Sequence, residues 1–288
     1  MTTPPRPPFG ARLAEALDRY GHLCVGIDPH PEILRDWGLP ENGAGLKEFG
    51  ERIIEAAAGR VGVVKPQVAF FENYGAAGMQ ALAEIITSAR SAGLLVLGDA
   101  KRGDIDSTMA AYAEAWLNPE KDFAVDALTV SPYLGFGSLS PAVQAAHRYG
   151  AGLFVLALTS NPEGQQVQLA QGHSRTEVGQ STVAGQIVEQ AASSNVVYAD
   201  QPLGSIGLVV GATTAHLAGQ HGIDLTAGRP PLLAPGYGVQ GAIAQQLRTG
   251  FGSAWPQVLV SSSRGILAAG PQQADLVSAI ESSRADLG

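Results

Sequence analysis

Eight short apolar runs, each followed by a helix-forming stretch, set the rhythm of this chain. They read HLCVGI (22–27), GVVKP (62–66), LLVLGD (94–99), VDALTV (125–130), GLFVLAL (152–158), IGLVVG (206–211), PLLAP (231–235) and QVLVS (257–261). Between them lie amphipathic or alanine-rich segments such as LKEFGERIIEAAAG, MQALAEIITSARSAG and TVAGQIVEQAASSN, and FGARLAEALDRYG supplies a helix before the first strand. A strand and a helix repeated eight times is the pattern of a parallel eight-stranded core ringed by helices, a single-domain (β/α)8 TIM barrel. No linker or repeat beyond this βα rhythm interrupts residues 10–288, and residues 1–9, MTTPPRPPF, read as a disordered or extended arm.

Composition narrows the classes of function. A length of 288 residues fits one barrel, and 45% hydrophobic with 15% charged residues is globular. A formal net charge of −8 argues against a general nucleic-acid partner, which ordinarily meets a basic surface. No run reaches the roughly 18 apolar residues that would span a bilayer, and the start lacks the apolar stretch of a secretory signal. A soluble, cytoplasmic protein is expected. Cys24 is the only cysteine, so no intrachain disulfide forms, and its place in a strand marks it as a small buried hydrophobe. The six histidines, at 22, 30, 147, 173, 216 and 221, fall in no recognisable catalytic spacing.

In a barrel of this kind the ligand site lies at the carboxyl ends of the strands. Those ends carry Asp28, Lys65, Asp99 with Lys101, Ser131, Thr159, Ser160, Asn161, the segment Pro235 to Gly241, and Ser263 with Arg264. Loops are often polar for no catalytic reason. Lys65 is different, because it interrupts the apolar stretch VGVVKPQVAFF, where an unpartnered ammonium would be poorly solvated.

The stretch APGYGVQGA (234–242) matches G-x-G-x-x-G at Gly236, Gly238 and Gly241. A dinucleotide fold would place this pattern at its first strand and follow it with an acid for the ribose; here it follows the seventh strand, and the eighth ends in SSSRGI. Two readings remain: a tight turn, or a phosphate cradle. Glycines let backbone approach an anion, helix N-termini after strands seven and eight offer free N–H groups, and Arg264 adds a charge-assisted contact. The pairing with Arg264 favours a phosphate monoester.

Asp99, Lys101, Arg102 and Asp104 crowd into GDAKRGDIDST after the third strand. Alternation sends Asp99 and Lys101 to one side and Ala100 to the other, with Arg102 pointing away from the pocket. Lys65 from the neighbouring strand then stands beside the first pair, while Asp104 lies beyond the strand. Spacing alone leaves open whether this is a salt-bridge network closing the barrel or a site that repels a substrate anion and delivers a proton.

Taken together, VVKPQ, DAKRGDIDST, SPYLG and APGYGVQG…SSSRGI resemble the orotidine 5′-phosphate decarboxylase family, in its D-A-K-R-G-D-I form common among actinobacteria. The resemblance runs from VGIDPHP to SSRGI. It implies decarboxylation of orotidine 5′-monophosphate to UMP and CO2, the last step of de novo pyrimidine nucleotide synthesis, with no cofactor and no metal. It further implies a charged tetrad of Lys65, Asp99, Lys101 and Asp104, with Lys101 as proton donor. Asp28 would hold a ribose hydroxyl, Ser131 would read the pyrimidine edge, and Gln240 and Arg264 would close on the phosphate. Asp104 and Thr108 would enter the active site of the other subunit of a homodimer. Two features depart from the family's common pattern: PQVAFFE after Lys65, and the long loop SNPEGQQVQLAQGHSRTEVG (160–179).

Two other readings deserve comparison. A sugar-phosphate decarboxylase or synthase of the same superfamily would use Mg2+ held partly by an acid on the second strand; this chain has Lys65 there, which repels a divalent cation. A non-catalytic phosphate-ligand-binding barrel would have no need of two lysines and two aspartates in the array.

Overall fold

The computed structural model describes residues 6–173, 180–238 and 243–288. Eight strands close into a parallel barrel: β1 (Leu23–Ile27), β2 (Val63–Pro66), β3 (Leu95–Arg102), β4 (Ala127–Val130), β5 (Gly152–Leu158), β6 (Ile206–Val210), β7 (Leu232–Pro235) and β8 (Val258–Ser262). Each pairs with the next, and β8 returns to β1 through Leu23↔Val260 and Cys24↔Ser261. Helix α1 (Phe9–Tyr20) precedes the barrel. After successive strands come α2 (Gly43–Ala57), α3 (Gly75–Ser91), α4 (Asp106–Leu117), α5 (Ser140–Tyr149), α6 (Val183–Ser194), α7 (Ala215–Gln220), α8 (Ala244–Phe251) and α9 (Gln273–Leu287). The (β/α)8 expectation holds, and each expected strand is present with its ends shifted by no more than a few residues.

Alternation along the strands sorts the apolar residues into two cores. Cys24, Val63, Leu97, Ala127, Phe154, Val209, Leu233 and Leu259 face inward and pack as one cluster inside the barrel. Their neighbours Val25, Val64, Val96, Leu128 and Val155 face outward against helical residues such as Phe49, Ile53, Leu82 and Ile85. Cys24 is fully buried, and burial pushes its thiol up to about 12, so it serves as packing rather than chemistry.

The barrel floor is closed by α1. Phe9 and Leu13, one helical turn apart, join the inner cluster, and the Phe9 ring meets Phe154 edge-on at 5.9 Å. The close fit requires glycine opposite: a Cβ at Gly152 would lie 2.2 Å from Phe9. Of the arm expected at residues 1–9, the described part is anchored. Phe9 begins α1, while Arg6 and Arg12 both pair with buried Asp126, which also accepts from Val96 N at 2.8 Å.

Two local features lay beyond the sequence pattern. A short antiparallel pair, Gln171–His173 with Gln180–Thr182, occupies the long loop after β5. Strand β3 also runs on to Arg102. Gly98 pairs with Leu128 and Arg102 with Val130, so β3 carries two more residues than β4 over that interval. An even number of extra residues bulges the strand without reversing its faces, so the alternation that predicts the directions of Asp99, Lys101 and Arg102 survives. Among the described residues, no helix is long and apolar enough to cross a membrane.

Because Phe9 fills the barrel floor far from the strand ends, Phe9→Ala is expected to cost about 3–5 kcal/mol of stability. Urea unfolding measures the loss, and ligand affinity at the opposite end should stay unchanged.

Candidate active site

The layer above the inner apolar cluster is polar because each inward position there lies two residues further along its strand. Lys65 stands beyond Val63, Asp99 beyond Leu97, Thr129 beyond Ala127 and Ser261 beyond Leu259. These side chains form the base of a cavity of about 740 Å³ at the carboxyl ends of the strands.

At its centre Asp99 joins two lysines. Its Oδ2 accepts from Lys65 Nζ at 2.9 Å, and its Oδ1 accepts from Lys101 Nζ at 2.6 Å and from Thr129 Oγ1 at 2.9 Å. Lys65 is only 4% exposed, and Gln67 Oε1 accepts a further, longer bond from it at 3.4 Å. The Lys101 side chain, by contrast, is 47% exposed. Burial acts most strongly on both members of the inner pair and opposes their charges. For Lys65 it is outweighed by Asp99 and Asp28, so the ammonium is held above its usual range. For Asp99 it is outweighed by Lys65 and Lys101, so the carboxyl sits well below the usual carboxylate range. The Lys65–Asp99 pair is therefore ionised at neutral pH.

Asp28 lines the same cavity, with a buried Oδ1 that has no hydrogen-bond partner among the described residues. Gly26 makes room for this corner: a Cβ there would fall 1.8 Å from Ser263 Oγ and 3.2 Å from Asp28 Oδ1. Ser131, Thr159, Ser160, Asn161, Pro235, Gly236, Ser263 and Arg264 also line the cavity. Gly236 and Gly238 take φ of 110° and 78°, backbone that favours glycine, but Gly238 does not reach the cavity wall. Gln240 and Gly241 lie outside the described residues.

Asp104 and Thr108 stay away from the cavity of their own chain. Asp104 Oδ1 accepts from Ile105 N at 2.8 Å, and Thr108 is exposed on α4. Arg102 points outward, pairs with Glu72 and lies over the rings of Tyr112 and Trp116 at 5.5 and 5.8 Å.

Sequence reasoning missed Gln67, Thr129 and Gln168, which line the cavity together with Tyr237 of the Pro235 to Gly241 segment. Gln67 and Thr129 were accessible in principle, since each continues the inward parity of its strand. Gln168 carries no such signal: its amide folds the loop after β5 back on itself, accepting from Thr159 N at 2.9 Å and donating to Thr159 Oγ1 at 2.7 Å.

A barrel with an open, charged cavity at its strand ends defines an α/β-barrel enzyme with a small-molecule ligand. The model of the "Orotidine 5′-phosphate decarboxylase / HUMPS family" matches residues 21–278. Curated relatives named orotidine 5′-phosphate decarboxylase include one from Salinispora arenicola, 53% identical over 278 residues and 96% of each chain. Another, from Streptomyces coelicolor, is 52% identical over 92% of this chain and 91% of its own. A crystal structure from Streptomyces avermitilis superposes with a TM-score of 0.92 at 48% identity, covering 100% of this chain and 97% of that one. The OMP decarboxylase of Leishmania donovani gives 0.73 at 30% identity, covering 96% of this chain and 98% of its own. The chain belongs to the orotidine 5′-phosphate decarboxylase family.

The ionised Lys65–Asp99 pair links stability to pH. Asp99, with its pKa depressed, contributes stability above its unfolded pKa of about 3.9 that is lost as pH falls through the folded value. Lys65, with its pKa raised, contributes below about 10.4 and loses that contribution as pH rises through its folded value. Between these limits the contribution is constant. Asp99→Asn leaves Lys65 buried and unpaired, and is expected to cost about 3–5 kcal/mol throughout that window in urea unfolding.

Proposed function

We propose that this chain converts orotidine 5′-monophosphate to UMP and CO2, with Lys101 protonating C6 of the pyrimidine. The observation that carries this reading is the Asp99 carboxylate held between Lys65 and Lys101 at the cavity base. In the proposed reaction the C6–carboxylate bond breaks, its electron pair stays on C6, and CO2 leaves. A proton from Lys101 Nζ forms the new C6–H bond, and the resulting amine recovers its proton from water. Asp99, kept ionised, disfavours a second carboxylate beside it, and the ammonium stabilises the charge that develops as that carboxylate departs.

The remaining contacts follow the shape of the cavity. Asp28, through its buried Oδ1, takes a ribose hydroxyl, and Ser131 takes a pyrimidine edge. Pro235, Gly236, Ser263 and Arg264 face the phosphate, and the family resemblance alone adds Gln240 to them. Binding energy at the phosphate, remote from C6, helps to order the charged groups, as part of a barrier reduction of about 8–23 kcal/mol typical of enzymes. The metal-dependent alternative is not favoured, because Lys65 occupies the position where an acid would hold the cation. Among the described residues, no three His, Cys, Asp or Glu side chains gather as a metal-binding group.

The active form in this reading is a homodimer in which Asp104 and Thr108 complete the partner's site. The support is an apolar rim beside them: Ile105 is 53% exposed, Tyr133 80% and Leu134 55%. Gly103 packs against the Ser131 carbonyl, so these residues leave the barrel from neighbouring points. Exposed large apolar groups clustered in this way mark an interaction surface.

Lys101→Ala is expected to lose decarboxylation by about 10²–10⁴-fold or more, followed by ultraviolet absorbance, while UMP still binds. Wild-type turnover in that variant would remove Lys101 from its role. Mixing Lys101→Ala with Asp104→Ala, each inactive alone, tests the shared site. The mixed dimer has one intact site, so re-assortment should restore about one quarter of wild-type activity. Mixed dimers without recovery would place Asp104 outside the partner's site.

A further inference from the structure

The backbone at Lys101 takes φ 49°, a conformation side-chain-bearing residues rarely adopt. It lies within the bulge of β3, where Thr129, between the paired Leu128 and Val130, has no partner in register on β3, although it pairs with Phe154 on β5. The amide that would otherwise bond the neighbouring strand turns to a side chain instead: Lys101 N donates to Thr129 Oγ1 at 2.9 Å. Thr129 in turn donates to Asp99 Oδ1 at 2.9 Å, the oxygen that also accepts from Lys101 Nζ at 2.6 Å.

These three bonds close a ring through both ends of Lys101. With its oxygen engaged by the amide, the Thr129 hydroxyl has its proton aimed at Asp99, so one hydroxyl fixes the strained main chain and the carboxylate together. Thr129 is 1% exposed, which keeps water from replacing either bond freely. The Lys101 ammonium ends a flexible four-carbon stem, so its placement depends on where the backbone and Asp99 hold it.

We propose that Thr129 is a positioning residue for the decarboxylation: its hydroxyl stands in for a missing strand partner and sets Lys101 and Asp99 in reacting geometry. This inference rests on the assignment of Lys101 as proton donor. It concerns a residue that acts through its neighbours rather than on the substrate.

The test compares Thr129→Val, close in shape but without the hydroxyl, with Thr129→Ser, which keeps it. In the valine variant kcat should fall about 10²-fold, as for a small misplacement of reacting groups, while KM and UMP affinity stay within about twofold. The serine variant should restore most of kcat. UMP binding and urea unfolding confirm that both variants are folded. Wild-type kcat in Thr129→Val would overturn the proposal, as would equal losses in both variants, which would make the methyl group decisive. A loss confined to KM and UMP affinity would also overturn it, by making the hydroxyl a substrate contact. Retained turnover in Lys101→Ala would instead overturn the proton-donor assignment, so the two failures are distinguished by which variant stays active.

Discussion

The active end of this barrel depends on the buried contact between Lys65 and Asp99. Neither charge is tolerable alone at that depth, because burial disfavours the ionised form of each. Together they form a 2.9 Å pair whose mutual attraction outweighs burial. The residues directly below the pair, Val63 and Leu97, belong to the inner core. A buried ion pair of this kind contributes little net stability compared with apolar packing. Its presence is better explained by the fixed, ionised carboxylate that it holds at the base of an open cavity.

The strand pattern makes that placement possible. Parity carries the inner apolar layer and the polar layer on the same faces, so one rule that builds the core also aims the site. It explains why the eight strands and the Lys65–Asp99–Lys101 array are legible from residue order. It also explains why Arg102, one residue from Lys101, belongs to the opposite side, where it pairs with Glu72 and covers Tyr112 and Trp116. The same parity contains Thr129 and Gln67, but an apolar run with one threonine, or a glutamine after a proline, carries no chemical signature of its own.

Other features were hidden for different physical reasons. The bulge in β3 depends on register with β4, a long-range property with no local composition. It preserves the predicted directions only because two residues are added; a single extra residue would have turned Lys101 outward. The antiparallel pair in the loop after β5 is short and rich in glutamine and glycine, without the apolar alternation that marks a strand. Asp104 and Thr108 stand apart from the cavity of their own chain, and nothing in the order of one chain's residues reports what a second chain would bring to them.

The two lysines differ most in their access to water, and that difference divides their work in the proposed reaction. A proton donor must release its proton to carbon and recover another in every cycle, which requires contact with solvent. Lys101 meets that need, with nearly half its side chain exposed. Lys65 is enclosed, and its pKa is raised by the surrounding acids, so it holds its proton firmly and is poorly suited to transfer. Its contribution is a constant positive charge that keeps Asp99 ionised whether or not Lys101 has given up its proton. With Lys65 alone to balance it, Asp99 can remain charged at the moment when Lys101 becomes a neutral amine. In the proposed reaction, one carboxylate shared by a buried and an exposed lysine thus keeps its charge through the cycle.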